Sequence, residues 1–151
     1  MSEIKLKVPL LGQGKTMSCW YASTMMLKYY FRAGPRLGMP KVWIANNGLN
    51  TGKVKELAKI EHMNFLASKD HDFSAASLMA TIKKYGPIWT ACKWKGYGHV
   101  VVTTGCSTEG DDGGTVYIND PEPVDVGSEV TVSLKTFNEK RLRGVLLVDA
   151  V

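Results

Sequence analysis

Gly12-Gln13-Gly14-Lys15-Thr16-Met17-Ser18-Cys19-Trp20-Tyr21-Ala22-Ser23 ends a turn-rich loop and opens an apolar segment of helical period that runs to Phe31. Gly12 and Gly14 allow the sharp turns of a loop feeding a helix. Thr16 and Ser18 both suit the N-cap. The spacing predicts a helix over Ser18–Phe31, with Ala22, Met25, Met26, Tyr29 and Tyr30 on one buried stripe. Cys19 then falls in the first turn, where unpaired N–H groups and the positive end of the helix dipole favour an anion. A thiol in that place loses its proton more readily, and the thiolate is the nucleophile.

A nucleophile of this kind needs a base. The candidate is His99 in Lys95-Gly96-Tyr97-Gly98-His99-Val100-Val101-Val102, where two glycines give an open approach and the valines read as a buried strand. A third group should orient the imidazole. Val116-Tyr117-Ile118-Asn119-Asp120-Pro121 supplies it, a short strand ending in Asn-Asp with proline terminating the ladder. Asn119 and Asp120 both qualify, but strand alternation turns them to opposite faces, so one at most points at His99.

Outward from these segments the chain divides by period. Residues 4–11 read as an extended lead-in. Helices are predicted over Pro40–Asn46, after Thr51 through Val54, Leu57, Ala58 and Ile60, and after Asp72 or Ser74 through Ala76, Leu78, Met79 and Ile82. Gly34-Pro35 and Gly86-Pro87 stop the helices before them. Asn64–Ala67 reads as a short strand. The later chain changes character, with strands predicted over Ile88–Trp94, His99–Gly105, Thr115–Asn119, Glu129–Ser133 and Gly144–Val148, rich in Val, Ile, Thr and aromatics. A turn at Glu109–Gly114 and a helical turn over Phe137–Leu142 interrupt them. The expected fold class is α+β: an N-terminal helical half on a C-terminal antiparallel sheet, with a cleft between them.

With 151 residues, 44% apolar and 22% charged, the chain suits one domain over 1–151 with a substantial core. No uninterrupted apolar run is long enough to span a membrane. The N-terminal residues lack the apolar core of a signal peptide, so delivery without a cleavable leader is expected. Cys19, Cys92 and Cys106 are an odd number; no disulfide framework is expected, and a reducing compartment suits them. Cys92 and Cys106 lie in strand-like runs and read as buried structural thiols. No CxxC or CxxH spacing marks a metal site. The net charge of +5 is spread along the chain rather than gathered in a basic stripe, which argues against nucleic-acid binding. His62 and His71 read as exposed spectators, and Trp20 as a structural residue beneath the site.

Gln13 six residues before Cys19-Trp20, then small residues and a helix, resembles the active-site segment of papain-like cysteine proteases. Gly98-His99-Val100-Val101-Val102 and Ile118-Asn119-Asp120-Pro121 look more like compact bacterial members: bacteriocin-processing peptidase domains of exporters, cysteine protease effectors of plant pathogens, and papain-like toxin domains of secretion systems. The chain departs from papain in its shorter length, in lacking a second cysteine just before the nucleophile, and in Asp-Pro where papain has Asn-Ser-Trp.

The resemblance and the chemistry together imply an endopeptidase with Cys19 as nucleophile, His99 as base and Asp120 as orienting residue. Asn119 is the alternative, because papain itself uses Asn. The Gln13 amide and the Cys19 N–H would form the oxyanion hole. No cofactor or metal is required. The expected partners are a protein substrate and a cognate immunity protein or inhibitor, with the chain monomeric. It would be made in a bacterial cytoplasm, delivered as an effector or toxin domain, and act in a reducing cytosol, possible cleavage points being small residues such as Gly-Gly. The same machinery serves peptidoglycan or protein-glutamine amidases and deamidases, and a silent binding module would keep the fold without the chemistry.

Overall fold

Ile88–Cys92 and His99–Ser107 are apolar, small or Thr at nearly every position rather than at alternate ones, and strands with that pattern require cover on both faces. That requirement organises the molecule. The structure is a computed structural model and describes residues 2–13, 19–32, 51–67, 70–93 and 96–150. The elements are β1 (Glu3–Lys5), α1 (Cys19–Phe31), α2 (Thr51–Ile60), β2 (Met63–Phe65), α3 (Ala75–Tyr85), β3 (Ile88–Cys92), β4 (His99–Ser107), β5 (Thr115–Asp120), β6 (Ser128–Ser133), α4 (Leu134–Lys140) and β7 (Arg141–Asp149). The class is α+β, with four helices and seven strands among the described residues.

Every strand pair is antiparallel, in the order β2-β7-β3-β4-β5-β6. β4 is long enough to take two partners along one edge: β3 pairs its first half, and β1 pairs its end, Glu3 opposite Ser107. Side chains sort by parity. Ile88 and Cys92 of β3 and Leu146 and Val148 of β7 pack with Leu78 and Ile82 of α3 and with Leu134 and Phe137 of α4. Trp89 and Ala91 of β3 and Leu147 of β7 pack with Trp20, Met25 and Leu27 of α1 and with Val54, Leu57 and Ala58 of α2. β4 is consequently buried at all nine positions.

The expected arrangement of one helical half laid on one sheet half needs correcting in three places. Helices cover both sheet faces. The first half of the chain contributes β1 and β2, three residues each, too short to show a period. Met63–Phe65 replaces the expected Asn64–Ala67, since the register with Leu147–Asp149 begins at Met63. The single α1 stripe is also too narrow: the helix is buried continuously from Ala22 to Lys28, with Tyr29 and Tyr30 half-buried. β3 stops at Cys92, short of the expected Trp94, while β4 to β7 run longer than predicted; β7 begins at Arg141, within the stretch read as a helical turn, and the helix there is Leu134–Lys140.

Other boundaries follow local chemistry. Ser74 rather than Asp72 caps α3, exchanging side-chain and backbone bonds with Ser77 in a reciprocal capping box. Ala75 rather than Ala76 faces the core. Gly86 ends α3, its N–H returning to Ile82 at 2.8 Å. The expected helix at Pro40–Asn46, the caps Thr16 and Ser18, the Gly34-Pro35 stop and Trp94 lie outside the described residues.

Residues 6–13 form an extended strap that crosses the α1 side of the sheet. Val8 packs with Met26 of α1 and Val102 of β4, and its carbonyl accepts from Asn119 Nδ2 at 3.0 Å. Where the strap leaves the sheet, β1 passes so close to Gly105 that a Cβ there would sit 2.3 Å from the Ile4 carbonyl oxygen.

Candidate active site

α1 begins at Cys19, and its first turns are bolted to the sheet at three points. Ser23, one turn on and on the same helix face, donates its hydroxyl to the Val100 carbonyl at 3.1 Å. Trp89 of β3 directs its indole N–H at the Trp20 carbonyl (3.2 Å) and at Thr24 Oγ1 (3.1 Å). Thr24 in turn donates to Trp20 O at 2.8 Å. The fully buried Trp20 is part of this anchor. Cys19 is thus held at the end of β4 where His99 stands.

His99 opens β4, and Asp120 closes β5. His99 Nε2 lies 2.7 Å from Asp120 Oδ1, with both side chains almost wholly buried. This leaves the other ring nitrogen, Nδ1, for the Cys19 side chain, which hydrogen-bonds the same imidazole. Burial would lower the His99 pKa. The hydrogen bonds to Asp120 and Cys19, and then their charges, outweigh it and raise the value from 6.5 to about 9. The imidazole therefore holds its proton at neutral pH.

Asn119 and Asp120 do turn to opposite sides. Asn119 is spent on the strap, donating to Val8, while Asp120 reaches His99. Asp120 Oδ1 also accepts the Glu122 N–H at 2.9 Å, which sets the carboxylate plane. Gln13 is completely buried. Its N–H donates to the Pro121 carbonyl and its carbonyl accepts from the Asp125 N–H, each at 2.8 Å. The strap therefore runs beside the segment that follows Asp120. Gly12 permits this closeness, because a Cβ there would lie 2.2 Å from Val126 N.

Three contributors were not legible beforehand. Ser23 gave the spacing signal of one turn from Cys19. Glu122 stands two residues after Asp120, and its Oε1 lies 3.4 Å from His99 Nε2. Tyr97, between its two glycines, donates to the same Oε1 at 2.6 Å. Ligand atoms of His99, Asp120 and Glu122 fall within 4.8 Å of one another, and His99 and Asp120 are hydrogen-bonded to each other. Cys92 and Cys106 are buried and not in disulfides, with burial pushing Cys106 up to about 11. His62 and His71 are exposed, and each offers its backbone carbonyl to a neighbouring cation, Lys28 and Arg141 respectively. Among the described residues no helix is long and apolar enough to cross a membrane.

A buried imidazole between a carboxylate and a helix-terminal thiol suits nucleophilic hydrolysis of an acyl bond. Comparison with known families agrees. Residues 2–142 match the family model Peptidase_C70, described as papain-like cysteine protease AvrRpt2, so the chain belongs to that family and is a papain-like cysteine peptidase, a hydrolase acting on protein.

Proposed function

We propose that peptide-bond cleavage runs through Cys19, His99 and Asp120, with residues 1–151 acting as one catalytic domain and substrate lying in a cleft beside the α1 N-terminus. The observation that carries this reading is the hydrogen-bonded chain from Cys19 through His99 to Asp120, with the imidazole holding its proton to about pH 9. Cys19 Sγ attacks the scissile carbonyl carbon. The developing oxyanion is met by the Cys19 N–H, unpaired within the helix as every first-turn N–H is, and by the Gln13 side-chain amide. His99 passes its proton to the leaving amine, the C–N bond breaks, and a thioester remains on Cys19. His99, now neutral, takes a proton from water, the hydroxide attacks the thioester, and the carboxylate product leaves. Asp120 keeps the ring oriented throughout and is itself not protonated.

The family and the resemblance further support a bacterial effector or toxin domain delivered into a target cell to act on a host or competitor protein, and we take it to act as a monomer. A producer would need a cognate immunity protein or inhibitor if its own proteins carry the site.

The deciding experiment maps new protein N-termini in lysate treated with wild type or Cys19→Ala. A small set of Cys19-dependent termini is expected, and the flanking residues report whether small residues such as Gly-Gly precede the cut. Ammonia release without new termini, from enzyme that alkylates at Cys19, would overturn proteolysis in favour of deamidation.

A further inference from the structure

The last β4–β5 pair is Val102 with Asn119. Carrying the register on pairs Val101 with Asp120 and brings His99 level with Glu122. The Glu122 side chain is 26% exposed, and its Oε1 takes the Tyr97 hydroxyl at 2.6 Å while standing 3.4 Å from His99 Nε2. The Tyr97 ring stands edge-on to the imidazole, with centroids 5.9 Å apart. Half of Tyr97 remains in solvent, and a Cβ at either flanking glycine would meet open space. The bond to Glu122 fixes the Tyr97 hydroxyl.

We propose that Glu122 and Tyr97 are positioning residues for His99. Glu122 is a second carboxylate on the Nε2 side, sharing the imidazolium charge with Asp120, and Tyr97 latches it while closing the solvent side of the His99–Asp120 bond. The proposal rests on the reading of Cys19 and His99 as nucleophile and base. Its chemical sense lies in the two proton transfers, since a ring that swung about its Cβ–Cγ bond would lose either the thiol or the leaving amine. One acceptor, Asp120, and a second carboxylate within ion-pair distance of the far nitrogen hold Nδ1 towards the reaction.

The test compares Glu122→Gln, Glu122→Asp, Tyr97→Phe and the Glu122→Gln/Tyr97→Phe double variant. The readouts are the pH profile of Cys19 alkylation by iodoacetamide, and kcat and KM on a peptide bearing a mapped cleavage site. Glu122→Gln is expected to move the alkaline limb down by about half to one pH unit and to lower kcat about 3–10-fold with KM unchanged. Tyr97→Phe moves both in the same direction by less. The double variant is no worse than Glu122→Gln, because the latch works through Glu122. Glu122→Asp, which keeps the charge, stays nearer the wild-type limb; a purely structural role would not sort the two by charge. Wild-type limbs and kcat in Glu122→Gln would overturn the proposal. Wild-type Cys19 reacting no faster than the buried Cys92 would instead overturn the underlying assignment of the nucleophile.

Discussion

Ser23 donates its hydroxyl to the carbonyl of Val100, the residue that follows His99, from a position one helical turn beyond Cys19. One hydrogen bond thereby ties the segment bearing the thiol to the strand bearing the imidazole. Ser23→Ala leaves that buried carbonyl without this donor, at a cost of about 1–2 kcal/mol in stability. On the proposed mechanism the Cys19 thiol also loses its register on the His99 imidazole, so kcat should fall further than the stability loss explains. Urea unfolding alongside steady-state kinetics measures both, and kcat unchanged in folded enzyme would refute the coupling.

Asp120 and Asn119 are adjacent, yet their substitutions should fail differently. Asp120→Asn removes the negative partner of the imidazole, and a loss of about 10²–10⁴-fold in kcat is expected, by analogy with the orienting aspartate of serine proteases. Asn119→Ala cuts the tether to Val8, so it should cost about 1 kcal/mol in stability with a much smaller effect on kcat. Equal kinetic losses would contradict the assignment of Asp120 as the orienting residue.

His99 binds its proton more tightly in the folded chain than in the unfolded one, since its pKa rises from 6.5 to about 9. The stability this contributes is complete below about pH 6.5 and disappears as pH climbs through about 9. Its size is on the order of 3 kcal/mol. Unfolding midpoints measured from pH 6 to 9.5 should fall more steeply for wild type than for Asp120→Asn, which lacks the main partner raising the value. Parallel curves would show that the His99–Asp120 bond is not the source.

Lys28 and Asp149 form a buried ion pair, each side chain 2% exposed, and Lys28 also donates to the His62 carbonyl at 3.0 Å. The pair clamps α1 to the end of β7. Lys28→Ala or Asp149→Ala alone strands a buried charge and should cost about 3–5 kcal/mol, whereas Lys28→Met with Asp149→Leu should recover much of it. Additive losses in urea titrations of the single and double variants would show that the pair is not coupled.

Gly12→Ala places a methyl against the backbone of Asp125 and Val126. The strap must then part from the 121–126 segment, and the two backbone bonds of Gln13 go with it. Activity should drop at least about 10²-fold if Gln13 serves the oxyanion, alongside a stability loss of about 2–4 kcal/mol from the broken buried bonds. Full activity in Gly12→Ala would remove Gln13 from the mechanism.

The sequence by itself carried whatever is encoded locally. The period of residues 19–31 specified α1, the Val and Thr runs specified β3 to β7, and Gly86-Pro87 ended α3 where expected. The order Gln13, Cys19, His99, Asp120 was equally visible, because the proposed chemistry asks for those residue types in that order. Alternation even required that only one of Asn119 and Asp120 face the histidine. Which one it was depended on Val8, more than a hundred residues away, offering its carbonyl to Asn119. Residues 4–11 read only as extended and β2 was placed one residue late, because three residues contain no period and the pairing of β1 and β2 is set by partners at Ser107 and Asp149. The burial of Lys28 depends on Asp149, and the place of Glu122 beside His99 on the β4–β5 register. These are sums over residues distant in sequence, and only the folded chain evaluates them.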